Sequence, residues 1–176
     1  MKNIILLTLG VGDFFFHKEH SKISKDTQES FVTQISDITQ NPKYTGVINV
    51  TIPADTNKTV NVFAGRRPQS VSKLTLYSDE SLLHVNNELK ILSVDNEELL
   101  FNGNQFDFIF PPKDYEIHVC GLDVNGVMVS SIKELLGLNY TVKLYSGSIK
   151  PHKNTYKQIN RLKHPAFTFC SQKSAI

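Results

Sequence analysis

Five short apolar runs, each about as long as a buried strand, alternate with stretches of helical periodicity, and that alternation limits this chain more than any other feature. The runs occupy residues 4–9, 46–52, 115–120, 141–145 and 166–170. Between the first two, residues 27–40 set Phe31, Val32, Ile35 and Ile38 on one helical face. Asp26 or Thr27 is placed to cap that helix, and Asn41-Pro42 to stop it. Residues 125–138 repeat the pattern with Met128, Val129, Ile132, Leu135 and Leu136, and residues 152–163 with Tyr156, Ile159 and Leu162. Strands separated by helices predict βαβ units and a parallel sheet covered on both faces. Continuous rather than alternating apolar runs suit such doubly buried strands. The predicted class is α/β, a three-layer α/β/α sandwich with a mostly parallel, doubly wound sheet. At 176 residues the chain is expected to form a single domain, residues 1–176.

Residues 54–96 are less regular. Within them 59–63 alternates like a strand, and 78–89 has the spacing of a helix through Leu82, Leu83, Val85 and Leu89. Residues 98–101 predict a further core strand. Composition then narrows the classes. Nineteen basic against 17 acidic residues leave a net charge of +2, unlike a strongly basic nucleic-acid binder. With 40% hydrophobic and 10% aromatic residues, disorder throughout is excluded. Two cysteines are too few for a disulfide framework and point to a reducing compartment. The apolar start is shorter than a signal peptide's core, and Asp13, Lys18 and Glu19 follow it with no small-residue cleavage site. No run approaches the roughly 20 apolar residues of a membrane helix. The expectation is a soluble, cytoplasmic protein without a membrane partner. Lysine outnumbers arginine and asparagine is common, as in proteins of A/T-rich genomes such as those of phages and low-GC microbes.

In a doubly wound sheet ligands bind outside the carboxyl ends of the strands, here residues 10–13, 102–108 and 121–127. Asp13, Asp107, Asp123 and Asn125 are the crevice candidates. Gly10-Val11-Gly12 lacks the third glycine of a dinucleotide fingerprint, so no cofactor is expected. His17 and His20, near Asp13 and Glu19, read as a solvated polar loop, so no metal is expected. Arg66-Arg67 and the run of Lys150, Lys153, Lys157, Arg161 and Lys163 read as solvated basic faces, and nucleic acid is not an expected partner. Cys120 and Cys170 read as small buried thiols. Ser130 and Ser131 lie a turn into a helix, where hydroxyls bond preceding carbonyls.

The stretch Cys120-Gly121-Leu122-Asp123-Val124-Asn125-Gly126-Val127 carries a strand through a tight turn into a helix. Ser131 follows one turn on, and Asn139-Tyr140 closes the helix before the next strand. This resembles the isochorismatase-like cysteine hydrolase superfamily, which includes isochorismatases, nicotinamidases and carbamoylsarcosine amidases. Residues 5–15, ending in Asp13-Phe14-Phe15, are similar to that family's first strand and loop, and residues 152–170 to its last helix and strand. The resemblance implies a Cys nucleophile at a helix N-terminus, an Asp base and a Lys. The matching positions hold Val127, Gly10 and Asn102. It therefore implies a domain whose hydrolytic apparatus is lost: a homo-oligomer that binds a small molecule or another protein. The alternative is a divergent hydrolase with a rearranged site using Asp123 and a His or Ser.

Overall fold

The computed structural model describes residues 1–11, 25–50, 69–71, 84–85, 88–89, 91–94, 105–121, 126–145 and 155–170. The elements are β1 (Asn3–Leu9), α1 (Lys25–Thr39), β2 (Tyr44–Val50), β3 (Gln69–Val71), β4 (His84–Val85), β5 (Glu88–Leu89), β6 (Ile91–Val94), α2 (Gln105–Ile109), β7 (Tyr115–Gly121), α3 (Val127–Gly137), β8 (Thr141–Tyr145), α4 (Thr155–Asn160) and β9 (Phe167–Cys170). Seven strands form one sheet in the order β3-β6-β2-β1-β7-β8-β9, and every pairing in it is parallel. The α/β class and doubly wound parallel sheet read from the sequence are borne out.

Burial explains why β1 sits centrally. Ile5, Leu6, Leu7 and Leu9 are all fully buried, which only a strand covered on both faces permits. Ile5, Leu7 and Leu9 pack with Ile117, Val119, Ile132 and Leu135 beneath α3, and Phe106 and Ile159 bring α2 and α4 to the same side. Leu6 points the other way, into a smaller cluster with Phe31, Ile35 and Ile38 of α1. Helices thus cover both faces. The end of α3 is set by its sequence. Asn139 takes φ 68, and the amides of Asn139 and Tyr140 bond back to Leu136 O and Leu135 O, a Schellman closure.

Several expectations need correction. The helical spacing of residues 78–89 does not yield a helix where the chain is described: β4 and β5 pair antiparallel, His84 opposite Leu89 and Val85 opposite Glu88. Asn86-Asn87 between them are residue types suited to a turn. Strands β3 and β6 were not expected; β6 is held by pairing to β2 and β3, a non-local cause. Residues 105–109, read as part of a crevice loop, are helical. Strand β2 begins at Tyr44 rather than residue 46, with the Tyr44 side chain buried. Helix α4 is described over Thr155–Asn160 and ends before residues 161–163, so Lys157 lies on it and Arg161 just beyond, both exposed. Residues 59–63 and 98–101, Arg66, Arg67, Lys150 and Lys153 lie outside the described residues.

Candidate functional site

The chain runs outward from β1 through β2 toward β6 and β3, then returns to β7 on the opposite side of β1. The switch in direction falls between the carboxyl ends of β1 and β7, where such sheets leave a crevice. Two glycines border it. Gly10 follows β1 with φ 65, and Gly121 ends β7 with φ 118. A Cβ on Gly121 would lie 2.1 Å from Leu9 O and 2.7 Å from Leu9 N, so the two strand ends meet backbone to backbone.

Side chains under the sheet hold the exit from β1. Thr8 Oγ1 donates to Asn49 Oδ1 (2.9 Å), and Asn49 Nδ2 donates to Val11 O (3.1 Å). Thr8, Asn49 and Val11 are all fully buried. The Gly10 amide donates to Val50 O at 3.0 Å. Across the crevice, Gly126 (φ 80) caps α3 without any side-chain hydrogen bond. Val127 is the first residue of α3, half-buried, and packs against the core that contains Leu9, Met128 and Ile132. An uncapped helix start carries a partial positive charge. Val127 presents no polar atom to it.

Of the residues singled out from the sequence, Gly10 and Val127 stand at these two ends. Asp107 lies in α2, half-buried, between Phe106 and Phe110, whose rings meet Tyr140 and Tyr115. Its Oδ1 is buried with no hydrogen-bond partner among the described residues. Asp13, His17, His20, Asn102, Asp123 and Asn125 lie outside the described residues. Ser130 Oγ donates to Val127 O (3.1 Å), as expected of a helical serine. Ser131 does not behave so: its Oγ is buried and has no partner among the described residues. We expect Ser131→Ala to raise stability by about 1 kcal/mol in urea unfolding, because removing an unsatisfied hydroxyl relieves its desolvation cost. A loss of stability would mean that the hydroxyl has a partner in solution.

Cys120 is fully buried and Cys170 half-buried. Leu144 pairs with Val119, which puts Tyr145 beside Cys120, and Tyr145 pairs with Cys170. The two cysteines therefore stand two strand spacings apart, roughly 9–10 Å, too far for a disulfide. Burial pushes both thiols up, Cys120 strongly, so neither is a ready nucleophile.

A second polar constellation escaped the sequence reading. On the α1 side of the sheet, the Tyr44 hydroxyl bonds His118 Nδ1 (3.2 Å) and the Tyr145 hydroxyl. His118 Nε2 meets Glu116 Oε1 at 2.7 Å, and Lys143 Nζ reaches the same oxygen at 2.8 Å. Lys43 Nζ lies over the rings of both tyrosines. Burial lowers the His118 imidazolium, only partly offset by Glu116. Burial would raise Glu116, but the bonds from Lys143 and His118 outweigh it and hold the carboxyl below its ordinary range. Burial carries Tyr145 up to about 12.

Both lowered values act in one direction. Unfolded His118 takes a proton near 6.5 while the folded ring resists it, so stability falls as pH drops below about 6.5 and levels off once the folded ring is charged. Glu116 contributes stability above about 4.5, which is lost as pH falls further through its folded value. Urea midpoints are expected to fall from pH 7.5 to pH 5, and His118→Gln to flatten that first step. A midpoint unchanged over this range would contradict the buried neutral histidine.

Among the described residues, no three His, Cys, Asp or Glu side chains are grouped to hold a metal ion, and no helix is long and apolar enough to cross a membrane. No protein-family model and no curated protein sequence matches the chain. Two solved structures do resemble it. One is N-carbamoylsarcosine amidase from Thermoplasma acidophilum, with a TM-score of 0.57 and 14% identity over 98% of this chain and 97% of that one. The other is a pyrazinamidase of Pyrococcus horikoshii in complex with zinc, with a TM-score of 0.55 and 11% identity over 96% and 99%. At such identity the likeness establishes architecture alone: the chain has the isochorismatase-like α/β fold.

Proposed function

We propose that this chain is a non-hydrolytic isochorismatase-like domain, a self-associating protein that binds a small molecule at the β1/β7 crevice or another protein at its surface. The observation that carries the reading is Val127. It opens α3 at the uncapped start of the helix, where the sequence resemblance expects a cysteine, and its side chain packs against the core. A valine side chain cannot form an acyl-enzyme or any other covalent intermediate. Gly10, at the end of β1, offers no carboxylate to take a proton. Both cysteines of the chain are elsewhere, buried or half-buried with raised thiols.

The rival reading, a divergent hydrolase, draws support from the partnerless oxygens of Asp107 and Ser131. Ser131 Oγ has no base or orienting group within hydrogen-bond reach among the described residues, and a serine nucleophile needs one. Self-association is supported by the exposed rings of Phe108 and Phe169, the latter on the edge strand β9.

The test is turnover of nicotinamide, pyrazinamide, N-carbamoylsarcosine and isochorismate by the purified chain, with light scattering on the same sample. No turnover, and a dimer or larger at tens of micromolar, are expected. Turnover that survives Cys120→Ala and Cys170→Ala together would favour the rearranged hydrolase. A monomer would remove self-association.

A further inference from the structure

The hydrogen bonds on the α1 side of the sheet take one direction when His118 is the neutral imidazole that its burial favours. An ionised carboxylate only accepts, so the 2.7 Å contact with Glu116 requires His118 Nε2 to carry a hydrogen. A neutral imidazole has one donor, so Nδ1 is then an acceptor. The Tyr44 hydroxyl, 3.2 Å from Nδ1, must donate to it. Its hydrogen committed, Tyr44 can only accept from Tyr145. The chain therefore runs one way, from Tyr145 to Tyr44 to His118 to Glu116, with Lys143 donating to Glu116 from the other side at 2.8 Å.

We propose that these residues form a proton-operated switch in which one proton taken up at His118 Nδ1 reverses the donor direction of both tyrosine hydroxyls while the bond to Glu116 is kept. Once Nδ1 carries hydrogen it donates to the Tyr44 oxygen. The Tyr44 hydrogen, displaced from Nδ1, then has the Tyr145 oxygen as its acceptor among the described residues, and the Tyr145 hydrogen turns away from Tyr44. The proton comes from solvent, and no covalent bond other than N–H is made. Both tyrosines and the histidine are almost wholly buried, at 2%, 2% and 3% exposure, so the reversal is met by protein groups around the tyrosines and not by bulk water.

The surroundings set how readily the proton enters. Against it stand burial and the lysines Lys43, before β2, and Lys143, on β8. Glu116 on the same strand favours it. Cys120 and Cys170 lie in the Tyr145 row and are held as neutral thiols. Helix α1 brings Phe31, Val32, Ile35 and Ile38 to this side and leaves Asp26, Glu29 and Asp37 exposed. The row of Tyr145 and Cys120 adjoins Thr8, whose partner Asn49 holds the exit from β1. A shift of the tyrosines is thus delivered one residue row beneath the crevice border. The inference does not depend on what the crevice binds.

The experiment uses the intact chain, labelled with 15N, titrated from pH 8 to pH 5 by long-range proton–nitrogen spectra of the histidine rings, with near-ultraviolet circular dichroism in parallel. The chain has six tyrosines and no tryptophan, so tyrosine dominates that dichroism. His118→Gln, which keeps a donor for Glu116 and an acceptor for Tyr44 but cannot titrate, assigns the ring. At pH 8 we expect His118 protonated at Nε2 and bare at Nδ1. On acidification it should take its second proton below 6.5, and the tyrosine dichroism should change with the same midpoint. His118→Gln should lose that change, and Tyr44→Phe should uncouple it from the histidine titration. An Nδ1–H tautomer at pH 8, a dichroic change that persists in His118→Gln, or a histidine titration with unmoved tyrosine signals would each overturn the proposal. Should His118→Gln not fold, the tautomer and the shared midpoint in the unaltered chain decide it.

Discussion

Gly121→Ala is expected to cost more stability than a methyl added at either of the other glycines compared with it, Gly126 and Gly137, about 4 kcal/mol or more, and to leave little folded protein at 37 °C. Two penalties add at one site. The new Cβ would sit 2.1 Å from Leu9 O and 3.0 Å from Leu9 C, and these are backbone atoms of a fully buried strand that cannot rotate aside. The φ of 118 lies in a region that costs an L-residue roughly 1–3 kcal/mol. A domain stable by about 5–15 kcal/mol has little margin against that sum. Two other glycines separate the causes. Gly126 has φ 80 with nothing within 4 Å of a Cβ, so Gly126→Ala should show backbone strain alone, about 1–2 kcal/mol. Gly137, on α3 with open space around it, should gain about 0.5–1 kcal/mol as alanine. Urea unfolding of the three variants tests the order. Equal losses at Gly121 and Gly126 would show that β1 and β7 do not meet as closely as described.

The crowded glycine was legible in the sequence as a turn between a strand and a helix, but its cause was not. Nothing in residues 115–127 says that the ninth residue of the chain lies against Gly121. The start of α3 was legible to within two residues (125 against Val127), and its closure just before Asn139 was legible because the signal is local, an asparagine able to take positive φ after the last turn. Strands β3 and β6 were hidden for the opposite reason. Gln69–Val71 and Ile91–Val94 are short, and they become strands by pairing with each other and with β2. At β4 and β5, a three-and-four spacing of apolar residues suggested a helix, and cross-strand pairing prevailed.

The polar chain beneath the sheet was missed through a choice of period. Read as one apolar run, Tyr115–Gly121 hides Glu116 and His118. Read two residues at a time, Ile117 and Val119 fall on one face and Glu116, His118 and Cys120 on the other. Thr141, Lys143 and Tyr145 repeat the pattern on the next strand. Two neighbouring central strands with polar alternate positions are a signal that one sheet face holds a buried network. The candidate crevice was found by topology and resemblance, whereas Thr8 and Asn49, which fix its border, carry no sequence mark that separates them from any strand polar residue.

A reactive thiol is expected when the chemistry implied by the resemblance is put back at three positions together, and not when it is put back at one. The measurement is the rate of thiol alkylation against pH, in a Cys120→Ala, Cys170→Ala background so that only the new cysteine reports. Val127→Cys alone gains the uncapped start of α3, which favours a thiolate, but no base stands at Gly10 and no cation at residue 102. Its thiol should titrate not far from the ordinary 8.5. Adding Gly10→Asp and Asn102→Lys supplies both. Aspartate tolerates the φ of 65 at residue 10 better than most side chains, at about 1 kcal/mol, so the fold should survive the change. A thiol pKa lowered by about two units would raise the thiolate fraction at pH 7 from a few per cent to a majority, and the alkylation rate at that pH roughly threefold once the lower nucleophilicity is allowed for. Equal rates and equal pKa values in the single and triple variants would mean that residues 10, 102 and 127 do not converge. The domain would then never have carried its chemistry at these positions, and the reading of Val127 as a replaced nucleophile would fall while the fold stood.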